Sequence, residues 1–276
     1  MSTDVSRDAV DVRRSGDVVT ITLNRPAKRN AMTDEMWQRL ELTLTELQND
    51  TSARVVVLAG AGGAFCGGSD VTGLLDDLDA LPERMRVSNR CVQAVHDLPI
   101  PTIALVDGVA AGSGVNLALA CDFVLATDRA QFAQLFIRRG LSLDSGASWL
   151  LPRLVGDRRA RQLALLGDAL DAPTALAWGM VNEVVEPQHL ATATAALVDR
   201  LCRCAPRAVA GTKALLNQAW EVPLAEALEA EITNQVTVIN SPEAQASISA
   251  FRRKSDVSST PDAKFSSEGD CNAVGR

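Results

Sequence analysis

The chain has 276 residues, 47% of them apolar and 22% charged, which is the usage of an ordinary globular protein with ample core. A formal net charge of −7 argues against general binding to nucleic acid or to an anionic membrane surface, both of which need a basic footprint. No apolar run reaches the roughly 20 residues of a membrane span, and the polar start holds no secretory core, so reduced thiols in a cytoplasmic protein are expected.

Residues 1–16 are polar and read as an N-terminal tail. DVVTITLN at 17–24 alternates apolar and polar residues as a strand does, and RPAKRNAM follows as a linker. Thr33 is a good N-cap, with Met36, Leu40, Leu44 and Leu47 at helical spacing behind it. RVVVLAG at 54–60 has the continuous apolar pattern of a buried parallel strand and runs into the glycine-rich GAGGAFCGGSD. A polar helix is expected over 82–97, and a second buried strand at 101–108. AAGSGVNLALA at 110–120 enters a helix, and CDFVLAT at 121–127 is a third buried strand. Strands alternating with helices favour an α/β fold with parallel pairing. MVNEVV at 180–185 reads as the last strand. Residues 17–188 thus form the core, 189–254 a helical subdomain, and 255–276 a small, polar, disordered tail.

Several chemistries fail on detail. Gly60 and Gly62 match the start of a dinucleotide fingerprint, but Phe65 stands where its third glycine is due, and no acidic residue follows at the required distance. Ser113 lies between Gly112 and Gly114, whereas a hydrolase elbow needs glycines two residues away. Cys202 and Cys204 have no histidine near in sequence, so no metal is expected. Cys66 reads as a buried, inert thiol, and Trp149 and Trp178 as core. Two features survive, AFCGGSDV at 64–71 and DGVAAGSGVNLALACDF at 107–123. Both leave a strand through glycines that let the backbone approach a ligand and aim N–H groups at it, as an oxyanion hole requires. Simple turn and packing glycines would explain either one alone.

Taken together, ITLNRPAKRNAM, GAGGAFCGGSDV, PTIALVDGVAAGSGVNLALACDFVLA and AQF…LPRLVG resemble the consecutive signature blocks of the crotonase (enoyl-CoA hydratase/isomerase) superfamily, over about residues 15–255. The resemblance implies a spiral of stacked ββα units with a helical C-terminal region that builds homotrimers or homohexamers. It also implies an acyl-CoA thioester substrate, with coenzyme A entering as part of that substrate and no separate cofactor. By motif position, Ser69 and Ser113 would give the two oxyanion N–H groups, flanked by Gly68, Gly112 and Gly114. Both serines fall where the family usually has alanine or glycine; because only the backbone acts, alanine there would be neutral. Asp70, Val71 and Thr72 would line the acyl-CoA path. Arg25, Lys28, Arg29 and Ala31 would meet the nucleotide end, joined by Phe251 and Lys254.

The departures bear on the reaction. Hydratases of the family hold water between two glutamates, and here Asn116 and Phe136 occupy those substrate-facing places; neither can act as acid or base. Asp144 remains, in the turn LSLDSG, matching an aspartate that is catalytic in isomerase and dehalogenase branches. A helix-capping role competes with a catalytic one for this residue. The resemblance therefore implies an enoyl-CoA isomerase that shifts a double bond from position 3 to position 2. A hydratase with atypical residues and a non-catalytic acyl-CoA-binding protein are the alternatives.

Overall fold

The structure, a computed structural model, describes residues 9–258, with side chains described as far as Arg253. Two sheets carry the fold. The larger has the order β1 (Val10–Ser15), β2 (Val18–Leu23), β3 (Val55–Gly60), β5 (Thr102–Val106), β7 (Phe123–Thr127) and β10 (Glu183–Val185). The smaller has the order β4 (Ala64–Cys66), β6 (Val109–Ala111), β8 (Gln131–Ala133) and β9 (Ala169–Asp171). All pairings are parallel except β1 with β2 and β8 with β9.

Each turn of the chain lays one strand in the large sheet and the next in the small one, then crosses back. β3 and β4 lead to α2 (Leu81–Asp97), β5 and β6 to α3 (Ser113–Leu119), and β7 and β8 to the segment before α4 (Ala147–Val155). This is the stacked ββα spiral. Its central strands β3, β5 and β7 are buried on both faces, which is why they read as unbroken apolar runs. Val56 and Leu58 point into the main core; Val55 and Val57 join Ile103 and Leu125 in a second cluster. The main core is closed by α1 (Asp34–Gln48) and α2, with Met36, Trp37, Leu40, Leu44 and Leu47 all buried. Thr33 caps α1, its Oγ1 accepting from the Met36 N–H at 3.3 Å. The second cluster is covered by Leu190, Leu197 and Leu201 of α7 (Leu190–Cys202).

The expected tail at 1–16 needs correction where it is described. Val10–Ser15 form β1, which pairs along the whole of β2 through a tight turn at Gly16, where φ is +57°. The period-two signal was short and interrupted by Arg13 and Arg14, but Val10 is buried against the core. After α4 come α5 (Asp157–Leu166) and α6 (Ala172–Ala177); beyond α7, the region holds α8 (Pro206–Gln218), α9 (Leu224–Ile239) and α10 (Pro242–Ser258). α10 therefore runs a few residues into the stretch expected as a tail, the rest of which lies outside the described residues. α8 is fastened to the core by Lys213. Its buried Nζ lies 2.8 Å from Asp122 Oδ2, and that carboxylate also accepts from the Thr102 N–H and hydroxyl. No helix among the described residues is long and apolar enough to cross a membrane.

Candidate active site

β4 and β6 are parallel neighbours, with Cys66 opposite Ala110, so the turns that leave them must adjoin. In the first turn, Met32 N–H donates to Gly68 O at 2.8 Å and Asp70 N–H to Met32 O at 2.7 Å. That ladder uses the amides on either side of Ser69 and leaves the Ser69 N–H without a partner among the described residues. In the second turn, Gly112 has φ 55° and ψ −127°, a conformation closed to side-chain-bearing residues, and it aims the chain into α3. Ser113, as the first residue of α3, has no intrahelical acceptor for its own N–H. A side chain on Gly114 would meet Cys66 atoms at 2.5–2.8 Å, so glycine is required for α3 to lie against β4. Gly68 faces the Ala111 carbonyl in the same seam, and the Phe136 ring lies beside Gly112 as an apolar wall.

The serine side chains also meet. Ser69 Oγ is 3.0 Å from Ser113 Oγ and accepts from Trp37 Nε1 at 3.2 Å. The indole was visible in the sequence only as an apolar position of α1.

Asp144 is joined to α3 through its backbone. Asn116 lies three residues along α3 from Ser113, about 4.5 Å in helical rise, and its Nδ2 donates to the Asp144 carbonyl at 3.0 Å. Gln134 Nε2 donates to Asn116 Oδ1 at 2.8 Å. Asn116 is fully buried with both amide ends engaged, so it is a strut behind the site; the expectation that it faces the substrate is corrected. The sequence offered no sign of Gln134 as its partner. The Asp144 carboxylate does not cap α4, whose N-cap is Gly146 with no side-chain hydrogen bond. Instead Asp144 Oδ1 is buried with no partner among the described residues. Burial pushes this carboxyl above the ordinary carboxylate range, with the neighbouring Ser145 hydroxyl offsetting only part. Asp144 sits on the wall of a cavity of about 860 Å³, shared with Met85, Val92, His96, Leu143 and Trp149; the turns at Ser69 and Ser113 are not part of its lining. Trp149 was expected as core; it is half-buried, and it lines this cavity with His96 set edge-on to its ring at 5.2 Å.

A family model described as enoyl-CoA hydratase/isomerase matches residues 13–260 of the chain. The chain belongs to the enoyl-CoA hydratase/isomerase family. It is 38% identical over 244 residues to 1,2-epoxyphenylacetyl-CoA isomerase of Escherichia coli strain K12, covering 86% of this chain and 92% of that one. It is 32% identical to trans-2-decenoyl-[acyl-carrier-protein] isomerase of Streptococcus mutans, covering 81% and 88%. The crystal structure of enoyl-CoA hydratase from Mycobacterium smegmatis superposes with a TM-score of 0.86 at 32% identity, covering 89% of this chain and 96% of that one. This is the crotonase fold, in an acyl-CoA enzyme family.

The remaining family positions separate into two groups. Arg25 Nη1 bonds the Ala31 carbonyl at 3.1 Å and Asp70 Oδ2 at 2.7 Å, tying the linker to the first glycine turn. Desolvation alone would raise the Asp70 carboxyl, but the Thr72 N–H and hydroxyl and Arg25 together hold it below the usual range. The two charges are thus paired with each other at the mouth of the first glycine turn, partly exposed. Lys28, Arg29, Val71 and Thr72 are exposed along the rim. Asn30, which the sequence reading passed over, holds this linker: its Nδ2 donates to the Ala61 and Ala64 carbonyls, and its Oδ1 accepts from the Arg25 N–H. Phe251 is not gathered into the site; it is exposed on α10, which packs on α9. The side chain of Lys254 and the whole of Cys271 lie outside what is described. The five described cysteines are free, and Cys66 is fully buried, its thiol pushed up to about 12 by desolvation. The described residues hold no cluster of three or more metal-ligating side chains.

Proposed function

We propose that the protein is an enoyl-CoA isomerase that moves a double bond from position 3 to position 2 of an acyl-CoA thioester. The observation that carries this reading is the Asp144 carboxylate: half-buried, with Oδ1 buried and unpartnered among the described residues, and on the wall of the large cavity. The N–H groups of Ser69 and Ser113 would take the thioester oxygen. Asp144 would remove a proton from C2, leaving a dienolate whose charge rests on that oxygen, and return the proton to C4 as the double bond settles between C2 and C3. Asn116 and Phe136 supply no second acid or base, which disfavours addition of water. Two relatives with isomerase names support the same choice.

Asp144→Asn keeps the shape and removes the base. Turnover of a 3-enoyl-CoA should fall by about 100-fold or more, with acyl-CoA affinity unchanged. Retained turnover would defeat the assignment. Deuterium uptake from heavy water without hydration marks the isomerase, hydration marks a hydratase, and binding with neither marks a carrier.

The pH dependence follows from the raised carboxyl. Because the folded state holds this proton more tightly than the unfolded chain, ionisation costs stability as pH rises from the ordinary aspartate value of 3.8 through the folded pKa. Asp144→Asn should therefore melt at or above the wild-type temperature at neutral pH, the difference vanishing in acid. Wild-type turnover should fall as pH drops through that same raised value.

We also propose a homotrimer or a dimer of trimers, working in the cytoplasm. Leu224, Leu228, Ile232, Val236 and Ile239 form an exposed apolar stripe along α9, the kind of surface that assembly covers. A stable monomer at micromolar concentration in light scattering would refute it.

A further inference from the structure

The two serines of the oxyanion turns carry more than backbone. Three polar atoms line up: Trp37 Nε1, Ser69 Oγ at 3.2 Å from it, and Ser113 Oγ at 3.0 Å from Ser69. The direction of the protons follows from chemistry. An indole N–H only donates, so one Ser69 lone pair is taken by Trp37. Ser113 is buried, and its hydroxyl has no partner other than Ser69 among the described residues. If Ser69 donated to Ser113, the Ser113 proton would be left buried without an acceptor, the arrangement native interiors avoid. Only one orientation leaves no buried proton unpaired: Trp37 and Ser113 both donate to Ser69. The Ser69 O–H is then the one free proton of the three, and Ser69 is the exposed member, at the edge of the turn whose own N–H is also unpartnered.

We propose that the Ser69 hydroxyl is a third hydrogen-bond donor to the thioester oxygen, oriented and polarised by Trp37 and Ser113. The inference rests on the acyl-CoA reading above and deepens it. Two donors drawing on the Ser69 oxygen strengthen its own O–H as a donor, since linked hydrogen bonds polarise one another. The benefit is largest when the acceptor carries charge, as an enolate oxygen does. Ser69 is then a catalytic residue through its side chain, and Trp37 a positioning residue. Alanine at position 69 is not neutral on this reading, in contrast to the expectation from the backbone alone.

The test uses two probes on the full chain. Acetoacetyl-CoA reports the charged oxygen through the ultraviolet absorbance of its enolate, and a CoA thioether with a methylene in place of the carbonyl reports binding without that oxygen. Ser69→Ala should lower the enolate-binding constant by about 10- to 100-fold, leave thioether affinity unchanged, lower the melting temperature because Trp37 and Ser113 lose their acceptor, and be rescued in both respects by Ser69→Thr. Trp37→Phe should cause a smaller loss for the enolate, and none when Ser69 is already alanine. Equal losses for both probes would make the hydroxyl merely structural and overturn the proposal, as would an enolate constant unmoved by Ser69→Ala. If the wild type bound neither probe, the acyl-CoA reading itself would fall and the proposal with it. Wild-type binding of both, with a Ser69→Ala variant indistinguishable, would sink only the third donor.

Discussion

Two helices of nearly the same length, α1 and α9, meet opposite fates. α1 buries Met36, Trp37, Leu40, Thr43, Leu44 and Leu47 against the large sheet, although it also carries Asp34, Glu35, Arg39, Glu41 and Glu46. α9 has an apolar residue at almost every fourth position and buries none of them. Apolar content therefore does not decide burial in this chain; what decides it is whether the spiral offers a face. The spiral packs on itself turn by turn and is complete once α1, α2 and α7 are laid on it. α8 is held at its edge by an ion pair, α9 leans on α8, and α10 leans on α9.

The seam between these regions is where the contrast can be broken most sharply. Lys213→Ala would leave the part-exposed Asp122 carboxylate, which also accepts from Thr102, without its buried cation, and stability should fall by about 1–3 kcal/mol, measured by urea unfolding. A much smaller change would mean that α8 is held by its apolar contacts and that the ion pair contributes little. Inside the spiral, Leu40→Ala should cost about 2–5 kcal/mol by deleting buried methyl groups that the packed sheet cannot collapse to fill. The same kind of truncation on α9, Ile232→Ala, should change the stability of the isolated chain by within about 0.5 kcal/mol. Its effect should appear instead as a shift towards monomer in sedimentation. If Ile232→Ala proved as costly as Leu40→Ala with no change of mass, the stripe would be buried within a single chain and the contrast between the helices would disappear.

Much of the spiral was legible because its central strands are buried on both faces. VVVLAG, TIALV and FVLAT read as unbroken apolar runs, and each observed strand falls within or almost on its expected span. The strands of the small sheet were not legible. At three residues each, β4, β6, β8 and β9 are too short to show a period, and their pairing is imposed by the turns that connect them to the large sheet. The glycine turns stood out because close approach and unusual backbone angles leave glycine as the residue that fits. The Asp144 turn was ambiguous, since Asp-Ser before an apolar run is also how many helices begin. It took the start of α4 at Ala147, behind Gly146, to remove the capping role. Asn116, Gln134, Trp37 and Asn30 were illegible as a set: each bonds to a residue far away in sequence, and no local pattern announces such a partnership.

The strut at Asn116 also limits how this site can change. Its amide donates to the Asp144 carbonyl and accepts from Gln134, so it needs a donor at one end and an acceptor at the other. A glutamate introduced there, to recreate the carboxylate that hydratases of the family place at this point, would set a negative group against a carbonyl oxygen. It would disturb the turn that carries Asp144 before it could activate any water. On the proposed isomerase reading, a first step towards hydratase chemistry at Asn116 would thus disturb the proposed acid–base group. If the proposed reading holds, the two chemistries are separated by a valley rather than a slope, and a laboratory lineage crossing it would have to change Gln134 and the 141–146 turn together with Asn116.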